Sequence, residues 1–224
     1  MIKSKYINAI VAVCITAALI FATLVTLFPA SSKAVEASAT ADTSYQEKLF
    51  DKTKIMTIDI EVDEASWSGM LENATAEEYI MCDVTINGTK FSSIGIRPKG
   101  NTSLTQVASD PTTDRYSFKL EFDHYISGQT CFGLDKFVLN NIQSDTTYLK
   151  EYLSYDLMEY MGVKSPLFAF ADISINGETW GFYLAIEALE ESYAARSFGG
   201  DYGQLYKVES DFAGGGRGDD RSEE

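Results

Sequence analysis

One stretch of the sequence, residues 95–121, concentrates side chains that can donate hydrogen bonds to an anion. They are three basic and two small polar residues: Arg97, Lys99, Asn101, Ser103 and Lys119. Arg97 and Lys119 lie on two predicted strands that flank a Gly- and hydroxyl-rich loop, and Lys99 lies where that loop opens, so the three can converge on its mouth. Backbone N–H groups of such a loop add further donors, and a polyphosphate is the anion that this pattern suits. The alternative is a polar hairpin loop whose basic residues offset nearby acids.

The strands that must position these residues are predicted from alternation and from turn signals. Residues 116–122 alternate strictly between apolar and polar side chains, which is typical of a half-buried strand. The dipeptides Asn87-Gly88 and Asn176-Gly177 each separate two strand-like runs, and this is a strong signal for a tight hairpin. A further strand is predicted at residues 136–140, and another at residues 204–208.

One long helix is predicted between the strands, beginning after Asp145 and ending at Met161, where Gly162 stops it. Its apolar residues recur with helical spacing and are predicted to face the core: Leu149, Leu153, Leu157, Tyr160 and Met161. Together, the elements predict an α+β fold that is mostly antiparallel sheet with one major helix.

The N-terminus carries the pattern of an export signal. Residues 7–30 contain no charged residue, follow Lys3 and Lys5, and are long enough to span a bilayer. This predicts either a signal peptide or an uncleaved signal-anchor transmembrane helix, with an extracytoplasmic domain that is membrane-anchored or secreted. The predicted organisation is a targeting segment, a linker, a domain and a Gly-rich acidic tail, at residues 1–34, 35–53, 54–210 and 211–224.

The charge of the chain limits its partners. With 18 basic and 33 acidic residues, the formal net charge is −15 at pH 7. Such a surface is a poor match for nucleic acid, whereas a basic protein substrate is compatible with it. The sequence has no G-x-G-x-x-G loop, and its single histidine, His124, is not followed by Arg-Asp, so a conventional protein kinase is excluded.

Several motifs together resemble the spore coat protein H (CotH) kinase-like family. They occur in the order of the family, over about residues 55 to 210: R-P-K-G-N-T-S, R-Y-S-F-K-L-E-F, D-T-T-Y-L-K-E-Y-L-S-Y-D-L, I-N-G-E-T-W-G-F-Y-L-A-I-E and Q-L-Y-K. The resemblance implies the N-terminal lobe of an atypical protein-kinase-like fold that binds ATP with Mg²⁺. It also implies ATP-dependent phosphorylation of Ser or Thr in a coat or surface protein.

The resemblance also implies roles for individual residues. Lys119 is expected to contact the ATP phosphates with Glu151 as its ionic partner, and Glu187 is expected to contact the nucleotide. The remaining predicted binding residues, on the phosphate side, are Arg97, Lys99, Asn101 and Ser103.

No catalytic residue and no metal ligand is assigned, because the catalytic and metal-binding aspartates of the family lie beyond residue 224 in the family pattern. The chain is therefore expected to be truncated and inactive alone, as a fragment, an interrupted gene or a partial gene model. Two alternatives remain open from the sequence: a non-catalytic surface binding or structural module, and a lone lobe that folds poorly.

Overall fold

Seven strands of this chain form one sheet that closes on itself as a barrel, in the order β1-β2-β3-β4-β5-β7-β6. The computed structural model describes residues 15–16 and 42–206. The strands are β1 (Met56–Glu61), β2 (Ile80–Ile86), β3 (Thr89–Lys99), β4 (Ser117–Glu121), β5 (Lys136–Asn140), β6 (Phe168–Ile175) and β7 (Glu178–Glu187). Within this part of the chain, neighbouring strands are antiparallel except for β1 and β6, which pair in parallel.

Short helices connect the strands or cover the barrel. They are α1 (Tyr45–Lys48), α2 (Glu64–Glu72), α3 (Thr102–Ala108), α4 (Lys150–Tyr160) and α5 (Glu191–Phe198), with a 3-10 turn at Ala74–Ala76. The beginning of α2 is fixed by Asp63, whose carboxylate accepts a hydrogen bond from the backbone N–H of Ser66 at 2.8 Å. The segment after β3 that was predicted as a loop contains a short helix, α3.

The barrel interior is filled by the apolar members of the alternating strands. On β4, Phe118 and Leu120 are fully buried, while Lys119 and Glu121 lie on the opposite face, as the alternation predicts. Full burial of each such side chain contributes about 1.5–3 kcal/mol of transfer free energy. The core therefore fixes which face of each strand turns outward.

Residues before β1 also contribute to the core. Tyr45, Leu49 and Phe50 are buried, and the Phe50 ring packs edge-to-face against Phe137 of β5 at a centroid distance of 6.4 Å. These residues fall within 35–53, which the sequence analysis assigned to a linker. Their burial is not evident from the sequence. Three apolar side chains among small and polar residues form too short a pattern to indicate a helix or strand that packs on the core.

Two asparagine turns hold β1 in place. Asn87 and Asn176 both have left-handed backbone conformations, with φ of 49° and 51°, and each is followed by a glycine with positive φ, as the hairpin signal predicts. The side-chain carbonyl of Asn87 accepts from the N–H of Thr57 at 3.0 Å, and that of Asn176 accepts from the N–H of Val62 at 2.9 Å. Each turn is thus hydrogen-bonded to one end of β1, the strand that closes the barrel.

The predicted fold class is wrong. The sequence predicted a mostly antiparallel α+β sheet resembling the N-terminal lobe of an atypical kinase-like fold, but the strands form a closed barrel. Closure comes from the parallel register of Met56 with Ala171 and of Ile60 with Ile175. The alternation of apolar and polar residues identifies strands but does not show which strands are neighbours in the sheet. It therefore cannot predict the pairing of two parallel strands that are distant in sequence.

The predicted membrane-spanning helix has no counterpart among the residues that the structure describes. Of the residues that the structure describes, none belong to a helix long and apolar enough to cross a membrane. The predicted segment, residues 7–30, lies outside the described residues apart from Ile15 and Thr16. The predicted tail at 211–224 also lies outside them, and residues 204–206 of the predicted last strand have no regular secondary structure.

The predicted apolar stripe of the long helix is solvent-exposed rather than buried. Leu157 is 57% exposed and Tyr160 is 88% exposed, and the other three members of the stripe are exposed as well. The face of α4 that meets the barrel instead carries Tyr152 and Tyr155. The Tyr152 ring stacks on Phe170 of β6 at 4.7 Å with an interplanar angle of 9°, so aromatic stacking decides which face of the helix is covered.

Candidate functional site

A row of side chains in register crosses the outer face of the barrel. Arg97 on β3 pairs with Lys119 on β4, which pairs with Val138 on β5. Val138 in turn pairs with Ile186 on β7, and Ile186 pairs with Phe168 on β6. The row therefore runs from a cationic end to an apolar end within one continuous face.

The apolar end is covered by α4. Phe168, Leu184, Ile186 and Ile142 form a cluster of their own, separate from the barrel interior, and Tyr152 and Tyr155 of α4 pack against it. This packing fixes the helix on the barrel and brings its first turn, with Glu151, toward β5.

At the cationic end, most positive charges are compensated by carboxylates. The two oxygens of Glu190 lie 3.0 Å from Lys119 Nζ and 3.0 Å from Lys136 Nζ. Burial by itself raises the pKa of Glu190, but the hydrogen bonds from Lys136 and Lys119 outweigh it and lower the pKa to about 2. Arg97 forms an ion pair with Glu77. These cations have counter-ions from the chain itself.

Lys99 is different, because it forms no ion pair with any described carboxylate. Its Nζ donates to the side-chain carbonyl of Asn140 at 3.3 Å. Burial lowers the pKa of Lys99 below its ordinary value. The negative charges of Glu151 and Glu77 oppose this shift, and the positive charges of Arg97 and Lys119 add to it. A half-buried ammonium with only a neutral acceptor is a favourable partner for an external anion.

Asn140 connects Lys99 to the first turn of α4. Its side-chain N–H donates to Glu151 Oε1 at 2.8 Å, while its carbonyl accepts from Lys99. Burial raises the pKa of Glu151, and the Asn140 hydrogen bond and the Lys99 charge oppose that rise. The ammonium and the carboxylate are therefore held on the two sides of a single amide.

Two cavities meet at Lys99 and Asn140. One, of about 290 Å³, is polar and is lined by Ser103, Ser117, Lys150 and Glu151 in addition to the two shared residues. The other, of about 300 Å³, has an apolar wall. Its apolar side chains come from β5, α4, β7 and the adjoining loops: Val138, Tyr155, Pro166, Ile186 and Leu189. A polar and an apolar compartment with a lysine between them can hold a ligand that has an anionic and a flat apolar part.

The structure brings part of the predicted set together. Lys99 and Ser103 line the polar cavity, while Arg97, Lys99 and Lys119 line the apolar one. Asn101 is exposed at the start of α3, where its backbone carbonyl accepts from Thr105 N at 3.1 Å, and it lines neither cavity.

The expected ion pair of Lys119 with Glu151 is not formed. Within the described residues, Lys119 pairs with Glu190, and Glu151 accepts from Asn140 beside Lys99. The strand position of Lys119 is the reason, because Lys119 is opposite Arg97 and lies two residue pairs along the sheet from Lys99, which is opposite Ser117.

Glu187 lies at the end of β7 and is buried. It is among the residues of the apolar cavity, but its carboxylate is held by the chain itself through four hydrogen bonds. The donors are the Tyr45 hydroxyl, the Leu167 backbone N–H and two N–H groups of Arg196. These contacts tie α1 and α5 to the barrel.

Three residues of the site were missed from the sequence: Lys136, Asn140 and Glu190. The signal for the first two was present, because Lys136, Val138 and Asn140 share one face of a strand that was predicted with the correct bounds. Glu190 follows a strand in a short connection, and its position against Lys119 depends on the pairing of β5 with β7.

The described residues do not fit a dedicated magnesium site. Across 15–16 and 42–206, there is no group of three or more His, Cys, Asp or Glu side chains that could hold a metal ion. The carboxylates of the polar cavity are Asp145 and Glu151. Asp145 already accepts hydrogen bonds from the backbone N–H groups of Thr147 and Lys150, at 3.0 and 2.7 Å.

Comparison with known proteins agrees with the motifs. Inner spore coat protein H of Bacillus subtilis (strain 168) is 31% identical over 83 residues, which is 37% of this chain. The match spans 23% of the length of that protein. A protein-family model described as CotH kinase protein matches residues 96–224. This range includes β4, β5 and α4, and it includes Lys99 and Asn140, the two residues that line both cavities. The chain belongs to the CotH kinase protein family.

Proposed function

We propose that this chain binds ATP on the outer face of its barrel and takes part in ATP-dependent phosphorylation of Ser or Thr in a coat or surface protein. The observation that carries the proposal is Lys99, a half-buried lysine without an ion-pair partner among the described residues, at the junction of a polar and an apolar cavity. Family membership supports the class of reaction.

The two cavities suit the two ends of a nucleotide. The phosphates lie in the polar cavity, where Lys99, Lys150 and Ser103 supply donors, and the base lies against Val138, Tyr155 and Ile186 in the apolar cavity. Placing cations around the phosphates is the main requirement of phosphoryl transfer, because catalysis of this reaction is largely positioning and electrostatic stabilisation. In a chain with a net charge of −15, a local uncompensated cation also selects where an anion binds.

For the chain's own residues, the proposal covers binding and orientation of ATP. Lys99 neutralises phosphate charge, and Asn140 with Glu151 fixes its position. The general base and the metal ligands of the reaction are not assigned to described residues. The relative is named as a spore coat protein, and we propose a coat or another extracytoplasmic surface as the place of action.

The test is ATP binding by isothermal titration calorimetry with the full chain and with Lys99→Met. The variant keeps most of the apolar stem but removes the charge, and we expect it to bind ATP at least about tenfold more weakly, a loss of about 1.4 kcal/mol. Lys90→Met is the matched control, because Lys90 is an exposed lysine paired with Glu61 and Asp83. Equal ATP affinity of wild type and Lys99→Met contradicts the proposal.

A second candidate function, a non-catalytic binding module, is favoured by the exposed apolar stripe of α4. Leu153 and Leu157 lie on it one helical turn apart, and both are more than half exposed. Contiguous exposed apolar side chains are typical of surfaces that bind other proteins. Thermal melting with millimolar ATP separates the two functions, since a ligand of the folded state raises the melting temperature and a pure binding module shows no shift.

A further inference from the structure

The orientation of the Asn140 side chain is determined by its two partners. A lysine ammonium has donors alone, and an ionised carboxylate has acceptors alone. The amide carbonyl must therefore face Lys99, and the amide N–H must face Glu151, as the distances of 3.3 and 2.8 Å show. An amide is the side chain at this position that can serve both partners and stay neutral.

The acceptor for Lys99 is the neutral amide of Asn140, whereas the acceptor for the other lysines on the same face is a charged carboxylate. Lys119 and Lys136 both contact the Glu190 carboxylate at 3.0 Å, so their charges are compensated within the chain. A carboxylate in place of Asn140 would compensate Lys99 in the same way. It would also put two negative groups side by side, because the atom at that position lies within hydrogen-bond distance of Glu151.

We propose that Asn140 is a positioning residue that keeps the Lys99 charge available to a phosphate ligand, by holding both Lys99 and Glu151 without contributing a charge. The inference rests on the proposed function for the identity of the ligand, but the role of the amide toward Lys99 can be measured without any ligand. The charged groups that act on Lys99 are Glu151 and Glu77 on the acidic side and Arg97 and Lys119 on the basic side, and Asp145 and Lys150 line the polar cavity with it.

The isosteric variant Asn140→Asp changes charge with almost no change of shape. We expect its affinity for inorganic pyrophosphate, measured by titration calorimetry, to fall at least about tenfold. In the absence of ligand, we expect the pKa of Lys99, measured by carbon NMR of the reductively dimethylated full chain, to rise from its lowered value. Gln106→Glu is the matched control, because it adds the same charge at an exposed residue of α3 that lines neither cavity, where solvent screens its effect on Lys99.

The outcomes are distinguishable. Where wild type binds pyrophosphate, an unchanged affinity in Asn140→Asp or an equal loss in Gln106→Glu overturns the inference. An unchanged pKa of Lys99 in Asn140→Asp overturns it as well. If wild type binds no pyrophosphate but the pKa of Lys99 rises in Asn140→Asp, the inference stands and the proposed function fails. If Asn140→Asp does not fold, Asn140→Ser is measured instead, because serine is also neutral. A pKa of Lys99 that rises to its ordinary value in Asn140→Ser contradicts the role of the neutral Asn140 amide.

Discussion

Arg196 donates two hydrogen bonds to the carboxylate of Glu187, at 2.9 and 2.6 Å, and so ties α5 to the end of β7. The glutamate is buried, and the arginine side chain is 16% exposed. Bidentate pairing of this kind has more restricted geometry than a lysine contact, because the guanidinium is planar. The same carboxylate accepts from the Tyr45 hydroxyl at 2.9 Å, so one acid joins the first helix, the last helix and the barrel.

Removing one partner of this buried pair should destabilise the chain strongly. In Arg196→Met, Glu187 keeps its hydrogen bonds from Tyr45 and Leu167 but loses its positive counter-charge. We expect the free energy of unfolding, measured with urea, to fall by about 3 kcal/mol, as for other broken buried pairs.

The control for this change is Lys54→Met, because Lys54 pairs with Asp51 at 2.8 Å but is 79% exposed. An exposed pair of this kind contributes little to stability, because solvent screens the attraction between its charges. If Arg196→Met loses no more stability than Lys54→Met, the Glu187 network does not hold the helices on the barrel.

The lowered pKa of Glu190 predicts a dependence of stability on pH. Its ordinary pKa is 4.5, and in the folded chain it is about 2, so folding favours the ionised form. The contribution is complete above pH 4.5 and is lost as the pH falls toward 2. Since the side chain is 24% exposed, the contribution should be on the order of 2 kcal/mol after allowance for solvent screening.

Thermal melting of wild type and Glu190→Gln at pH 6 and at pH 2.5 checks this. We expect a clear difference in melting temperature at pH 6 that shrinks at pH 2.5, because the wild-type carboxylate is then partly protonated. Glu191→Gln controls for the loss of one negative charge outside the lysine cluster. A difference between wild type and Glu190→Gln that is the same at both pH values is incompatible with the predicted contribution.

Local elements of this chain could be predicted from sequence, whereas their pairing could not. The Asn87 and Asn176 turns and the β5 strand follow from short-range chemistry that depends on a few adjacent residues. The parallel pairing of β1 with β6 involves no local signal, and it closes the predicted, mostly antiparallel sheet into a barrel.

The site shows the same division. The convergence of Arg97, Lys99 and Lys119 was predictable because side-chain direction in adjacent strands follows from alternation. The partner of each cation was not predictable, since Glu190 and Asn140 reach the site through strand neighbours that the sequence does not specify. Likewise, helical spacing identified the apolar stripe of α4, but the stacking of Tyr152 on Phe170 put that stripe on the outside.

The rings of His124 and Tyr79 lie so close to Gly95 of β3 that we expect a larger residue at this position to destabilise the chain. A Cβ atom at this position would lie 2.9 Å from His124 Cβ and 2.9 Å from Tyr79 Cδ1. Those two rings stack at a centroid distance of 4.1 Å, and the Tyr79 hydroxyl donates to Glu121, so neither ring can move without losing contacts. We expect Gly95→Ala to lower the free energy of unfolding by about 1–3 kcal/mol, which is the usual cost of overpacking.

Gly69→Ala is the matched comparison, because it makes the same chemical change within α2 where no atom lies within 4 Å of the added Cβ. Replacing a helical glycine by alanine should stabilise the chain by about 0.5–1 kcal/mol. Guanidinium unfolding of the two variants should therefore move their midpoints in opposite directions. Equal shifts would show that the added methyl group meets no resistance at Gly95, and that the Tyr79–His124 stack does not rest against β3.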